Sequence, residues 1–255
     1  MSNVLAIAHK EIRSYFASPI AYVVIGFFAL LFGIFYVVML NWFASQSMQM
    51  GGMMGGGPVN INRMMIRILL QNAAVVLLFV LPMVTMRTYS EEKRSGTIEL
   101  LLTSPVSDLQ ILLGKFLGAM ALYAVMLAVT LIHIGVLFVY GNPEWRPIVS
   151  GYLGMFLLGG CFISVGLFIS SLTKNQIVAG VATFAVFLVF WVVDWMTNFA
   201  PPGVGSVLNY LSITSHLDDF AKGIIDTKHV IYYLSFITFG LFLTSKAADS
   251  ERWRG

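Results

Sequence analysis

Charged residues make up only 11 % of this 255-residue chain, while hydrophobic residues reach 58 %. Soluble domains carry about 25 % charge, so the shortage excludes an ordinary soluble domain and places the chain in a bilayer. The net charge of +3 is small and scattered, which argues against a nucleic-acid partner; on such a chain Lys and Arg report topology. A single cysteine, Cys161, lies in an apolar run. That excludes a disulfide framework and a CxxC metal pair, and reads as packing. The catalytic patterns H-E-x-x-H, G-x-S-x-G and G-x-x-x-x-G-K-[ST] are missing, so no ATP hydrolysis is expected of the chain itself. Nor does any Asp, Glu, Lys or Arg lie well inside an apolar run. Each would cost about 2.5–3.5 kcal/mol there and would mark an ion path, so a proton-coupled or sodium-coupled carrier is disfavoured.

What the chain has in abundance is apolar stretches of membrane-crossing length. About 20 apolar helical residues cross a hydrocarbon core about 30 Å thick, and six stretches approach or exceed that length: 20–40, 68–86, 116–139, 147–173, 175–193 and the shorter 230–245. The fold expected is all-α, a single polytopic membrane domain with six spans over residues 1–255. The first span is too long for the h-region of a cleaved signal peptide. With both termini on one side, ten of the fifteen basic residues fall on that side. The positive-inside rule then makes the termini cytoplasmic, in what reads as a prokaryotic inner membrane. Segments 41–67 and 194–229 face outward.

Four segments outside the spans carry distinct expectations. Residues 1–19 place Leu5, Ala8, Ile12 and Phe16 at helical spacing beside His9, Lys10, Glu11 and Arg13, an amphipathic helix lying in the cytoplasmic interface. The outer loop "QSMQMGGMMGGGP", with Met48, Met50, Met53 and Met54 and then Met64 and Met65, reads as flexible; soft Cu(I) ligation is the sharper alternative. Segment 194–229 is expected to form one or two short amphipathic helices in the outer interface, with Asp218 as a possible cap to Ser215 and with Leu217, Phe220, Ile224 and Ile225 on one face. Its His216, Asp218, Asp219, Asp226 and His229 read as a solvated face, a metal site being the alternative.

The fourth segment, the cytoplasmic connection 87–110, holds "RTYSEEKRSGTIELLLTSPVSD", the densest charge in the chain. Thr88 with Glu91 suits a capped turn prolonging span two, Gly96 interrupts it, and Pro105 ends the short apolar helix that follows. Ser107 and Gln110 form a capping box ahead of span three. A helix carrying Leu100, Leu101 and Leu102 is too short to cross and too apolar to be solvated, so it requires a partner surface. Pro82 should bend span two and, with Gly96, is a hinge candidate. His133 reads as neutral, hydrogen-bonded packing, and Asp194 as an interfacial terminus. Gly114 and Gly118 make one GxxxG, and Gly151, Gly154, Gly159, Gly160 and Gly166 thin span four, both consistent with close helix approach.

Taken together, the six spans, the interfacial helix, "EEKRSGTIELLLTSPVSDLQILLGK" and the short outer helices resemble the ABC-2 type transporter permeases. The C-terminal "LSITSHLDDFAKGIIDTKHVIYYLSF" and "ERWRG" resemble the branch that includes permeases of gliding-motility and nitrous-oxide-reductase-maturation systems. The resemblance implies that the 87–110 loop holds a coupling helix seated in a separate ATP-binding subunit. Docking would fall to Thr97, Glu99, Leu100, Leu101, Leu102, Ser104 and Pro105, and orientation to Glu91, Glu92, Lys93 and Arg94. It further implies a second permease copy, identical or not, and ATP and Mg²⁺ held by the partner subunit with no cofactor on this chain. Besides the bilayer, a periplasmic or membrane accessory protein is a further implied partner. The competing reading is a secondary carrier or structural subunit without an ATPase; an intramembrane enzyme ranks third.

Overall fold

The computed structural model describes residues 3–52, 61, 65–97, 106–197 and 199–252. Ten α-helices account for nearly all of them. Helix α1 (Asn3–Ala17) precedes six helices long and apolar enough to cross a membrane: α2 (Pro19–Gly52), α3 (Arg67–Thr85), α5 (Asp108–Tyr140), α6 (Trp145–Ser171), α7 (Gln176–Thr197) and α10 (Thr227–Arg252). Short helices occupy the two connections that matter most, α4 (Ser90–Ser95) between α3 and α5, and α8 (Pro202–Leu211) with α9 (Ser215–Ala221) between α7 and α10. The chain is a multi-pass, all-helical membrane protein. Helix ends, not span number, differ from expectation. The first span runs on through Gly52 to 34 residues, about 50 Å at 1.5 Å per residue. Counting apolar residues alone stopped at Leu40, yet nothing from Asn41 to Gln49 opposes helix.

Helix α6 is the centre of the bundle, and its glycines explain why. A methyl group at Gly151 would lie 2.4 Å from Leu70, at Gly154 2.7 Å from Phe220, at Gly159 2.1 Å from Tyr123, at Gly160 2.8 Å from Ile237 and at Gly166 2.2 Å from Thr85. Side chains of α3, α5, α9 and α10 therefore each lie directly on the α6 backbone, the close packing over small residues by which helices associate in lipid. By contrast, α2, α7 and α10 present rows of exposed apolar residues such as Val23, Phe27, Leu30, Val181, Trp195, Phe239 and Phe242.

Helix α1 packs against α5. Its Ala8, Glu11 and Tyr15 are buried and Leu5 is exposed, so the face turned to the bundle is centred on Ala8, Glu11 and Tyr15. Gly114 and Gly118 of α5 explain the contact. Methyl groups there would fall 2.6 Å from Ile7 Cβ and 2.6 Å from Glu11 Cβ, so this GxxxG seats α1 on the N-terminal end of span three. Toward the other end of α5, His133 packs against Gly33 of α2 with the rings of Phe32 and Tyr36 each 5.5 Å away. It is a packing residue as expected, but its buried Nδ1 makes no hydrogen bond.

Candidate functional site

Helix α1, the C-terminal ends of α3 and α6 and the N-terminal end of α5 converge under the loop between spans two and three. Lys115, in the second turn of α5, is almost wholly buried. Its Nζ donates to Glu11 Oε1 at 3.1 Å and to the Thr88 carbonyl at 2.9 Å, lies 2.7 Å from Glu92 Oε2, and sits 5.1 Å from the Tyr89 ring centre. The Glu92 Oε2 contact is one of charge, since that oxygen has no aligned hydrogen bond. Lys10 completes the cluster at 3.0 Å from Glu92 Oε1. Two cations and two carboxylates thus join α1, α4 and α5 with their charges balanced, the condition for keeping ions out of water.

The start of the loop is held a second time from α6. Thr88 does not cap the charged helix; its hydroxyl faces Tyr15 OH at 3.2 Å. Residues 86–89 form a turn, and the amides of Tyr89 and Ser90 donate to Ser170 Oγ at 3.1 and 3.2 Å. A serine from span four therefore supplies the cap that the local sequence lacks. Beside it, Lys93 Nζ donates to the Ser171 carbonyl. Ser170→Ala should speed amide exchange at Tyr89 and Ser90 as the loss of an N-cap does, about 1 kcal/mol, readable by hydrogen exchange mass spectrometry. Gly96, at φ 72°, closes α4 in the left-handed conformation that favours glycine. The far end of the loop is fixed by the expected capping box, Ser107 with Gln110, and Asn3 of α1 donates to the Gln110 side chain at 3.2 Å.

At the opposite end of the bundle, residues of α3, α7, α8, α9 and α10 line a cavity of about 880 Å³, among them Arg67, Gln71, Trp191, Asp194, Asp218 and His229. Asp218 binds Arg67, Gln71 and Lys222, and Asp219 binds Lys222 at 3.1 Å and His229 at 2.9 Å. His216 stacks on Tyr232 at 3.9 Å, with His229 4.9 Å away. The expected solvated face is instead a packed polar network with both histidines buried, because α9 leans on α6 through Leu217 and Phe220. Ile224 and Ile225, expected on that face, are exposed past the end of α9. Asp218 is taken up by salt bridges and does not cap Ser215. No metal-binding group of three His, Cys, Asp or Glu occurs among the described residues.

Burial and the nearby His229 and Lys228 hold the His216 imidazole below its usual value against the Ser212 carbonyl and Asp219. Burial pushes the Asp219 carboxyl up, but hydrogen bonds from Lys222 and His229 outweigh it and the net direction is down. Both signs agree. A histidine depressed in the folded state contributes fully above its unfolded pKa of about 6.5 and loses that contribution as pH falls below it. The depressed Asp219 loses its share later, through its own folded pKa below 3.8. Between pH 7.5 and 5.5, intrinsic-rate-corrected hydrogen exchange in α9 should therefore rise, and His216→Phe should flatten the rise.

The sequence matches the ABC-2 family transporter protein model over residues 5–248. The chain belongs to the ABC-2 transporter family. No curated protein matches it. The structure distributes the residues of the connection after span two unequally. Glu91, Arg94 and Thr97 are exposed, with Arg87 paired to Glu91 at 3.0 Å, whereas Glu92 and Lys93 turn inward. Glu99, Leu100, Leu101, Leu102, Ser104 and Pro105 lie outside the described residues. So do Met53, Met54 and Met64 of the methionine-rich loop; Met48 is exposed and Met65 completely buried. Pro82 lies buried inside α3. Sequence reasoning missed Glu11, Lys115 and Ser170. Lys115 was legible as the one cation lodged between the two glycines of a GxxxG, whereas nothing in "FISSL" marks Ser170 as a cap for another helix.

Proposed function

We propose that this ABC-2 chain is the permease half of an export-type ABC machine in a prokaryotic inner membrane, with both termini cytoplasmic. A separate ATP-binding subunit, which holds ATP and Mg²⁺, docks on residues 97–105, and a second permease copy completes the membrane domain. The observation that carries this reading is the double anchoring of the loop base. Lys115 and Ser170 fix its start and the Ser107 box fixes its end. A loop whose two flanks are fixed in this way is suited to receive a push from a soluble partner and pass it to α3 and α5. Glu91 and Arg94, exposed at its edge, are the orienting charges; Glu92 and Lys93 act from behind by holding the platform. Membership of the branch containing gliding-motility and nitrous-oxide-reductase-maturation permeases is supported by the resemblance of the segment 211–236 and the closing "ERWRG".

The test is a pull-down of the detergent-solubilised chain from its native membrane. Wild type should bring down a nucleotide-binding protein with a G-x-x-x-x-G-K-[ST] motif, and Leu101→Asp should retain at least tenfold less of it, about 1.4 kcal/mol of binding, while still inserting. Absence of such a protein from both samples sinks the docking account and favours a carrier or structural subunit.

A further inference from the structure

The charge cluster under the loop does more than fill space, because its parts come from three separate segments of chain. We propose that Lys115 is a positioning residue whose buried ammonium locks helix α1, the loop base and span three into one rigid unit. This rests on the docking reading only for what the unit is used for.

Three observations converge on it. Lys115 has three partners on three segments: it donates to Glu11 on α1 and to the Thr88 carbonyl in the turn after α3, and it pairs by charge with Glu92 on α4. Its own segment is the GxxxG on which α1 rests, so α5 puts no side chain in the way at Gly114 and Gly118, and Ile7 and Glu11 of α1 lie directly on its backbone. Tyr15 of α1 adds an uncharged tie, its hydroxyl donating to the Val84 carbonyl at 3.2 Å at the end of α3. An ammonium is a compact point charge with three donors, which suits one group serving three partners at different angles. A force applied to the loop therefore reaches α1 as directly as it reaches α3 and α5. Helix α1 then becomes part of the transmission, with its exposed Leu5, His9 and Arg13 carrying the movement to the cytoplasmic interface.

The decisive experiment uses the full chain in lipid nanodiscs with Cys161→Ser and spin labels at Arg13→Cys and Ser95→Cys, both exposed positions outside the proposed docking residues. The parent is compared with a triple variant, Glu11→Gln, Glu92→Gln and Lys115→Met, which removes the buried charges together and so leaves none uncompensated. The 13–95 distance distribution should be narrow in the parent and at least twofold broader in the triple variant, with both eluting as folded protein. Equal widths overturn the proposal. A third label at Lys246→Cys reads what the lock is for. With the ATP-binding subunit bound, a non-hydrolysable ATP analogue should shift both 13–246 and 95–246 in the parent, but only 95–246 in the triple variant, at unchanged partner stoichiometry. An equal shift of α1 in both overturns its place in the transmission. If no nucleotide effect appears in the parent while the widths differ as expected, the lock stands and the docking reading falls.

Discussion

Lys115→Met alone should cost about 3–5 kcal/mol of stability, the penalty measured when one partner is removed from a buried ion pair. The reason is visible in what the change leaves behind. Glu11 is buried and Glu92 nearly so, and without the ammonium the two carboxylates face each other across an apolar site with only Lys10 between them and solvent. The Thr88 carbonyl loses its donor as well, and a buried carbonyl left unmet adds about 1–3 kcal/mol of desolvation, part of the same total. Glu92→Gln should be milder, about 1–2 kcal/mol, since Lys115 keeps Glu11 and Thr88, and hydrogen bonds to charged groups contribute about 1.5–3 kcal/mol each. Unfolding of the purified chain in mild detergent, followed by accessibility of buried Cys161 to a thiol reagent, checks the order. The triple neutral variant should lie closer to wild type than Lys115→Met does. A single variant as stable as wild type would mean that the cluster is hydrated and that the carboxylates escape to water.

Much of this architecture could be read from the sequence, and the parts that could not share a physical cause. Span number followed from apolar run length because a bilayer imposes one dominant constraint, the burial of every backbone polar group inside a helix. The Ser107 box was legible because its two halves are three residues apart. Tertiary ties were not. Glu11 looked like one more polar residue on an amphipathic helix, and only the glycine seat on α5 turns it inward. The cap of α4 is spread between Tyr89 and Ser170, so a search for a local cap settled on Thr88, whose hydroxyl is engaged by Tyr15. The His216 network misled for a related reason. Its alternation of charges over residues 216–229 resembles a surface pattern, and its burial depends on Leu217 and Phe220 finding the gap that Gly154 leaves in α6.

Gly159→Ala should be among the most damaging single-methyl changes in the protein. The added carbon would fall 2.1 Å from Tyr123 Cε1 and 2.5 Å from Cζ, inside any tolerable contact, and Tyr123 has no room to withdraw. Its side chain is completely buried and its hydroxyl donates to the Met155 carbonyl at 2.7 Å, one turn from Gly159 on the same helix. Moving the ring breaks that bond in an apolar interior; keeping it forces α5 away from α6. Overpacking of this kind costs about 1–3 kcal/mol and occasionally more, and the loss of the tyrosine bond places Gly159→Ala at the upper end. Gly135→Ala is the matched control, because that glycine is also helical and a methyl there meets nothing within 4 Å. Relief of glycine's helix penalty, about 0.5–1 kcal/mol, should leave Gly135→Ala neutral or slightly stabilised. Comparing the yield of monodisperse protein and the unfolding midpoints of the two variants separates packing from helix propensity. If Gly159→Ala matches Gly135→Ala, the Tyr123 ring does not lie on the α6 backbone, and the central place given to α6 is wrong at that level. If Gly159→Ala fails while Tyr123→Phe with Gly159→Ala fails equally, the clash of the ring and not the lost hydroxyl bond is the cause.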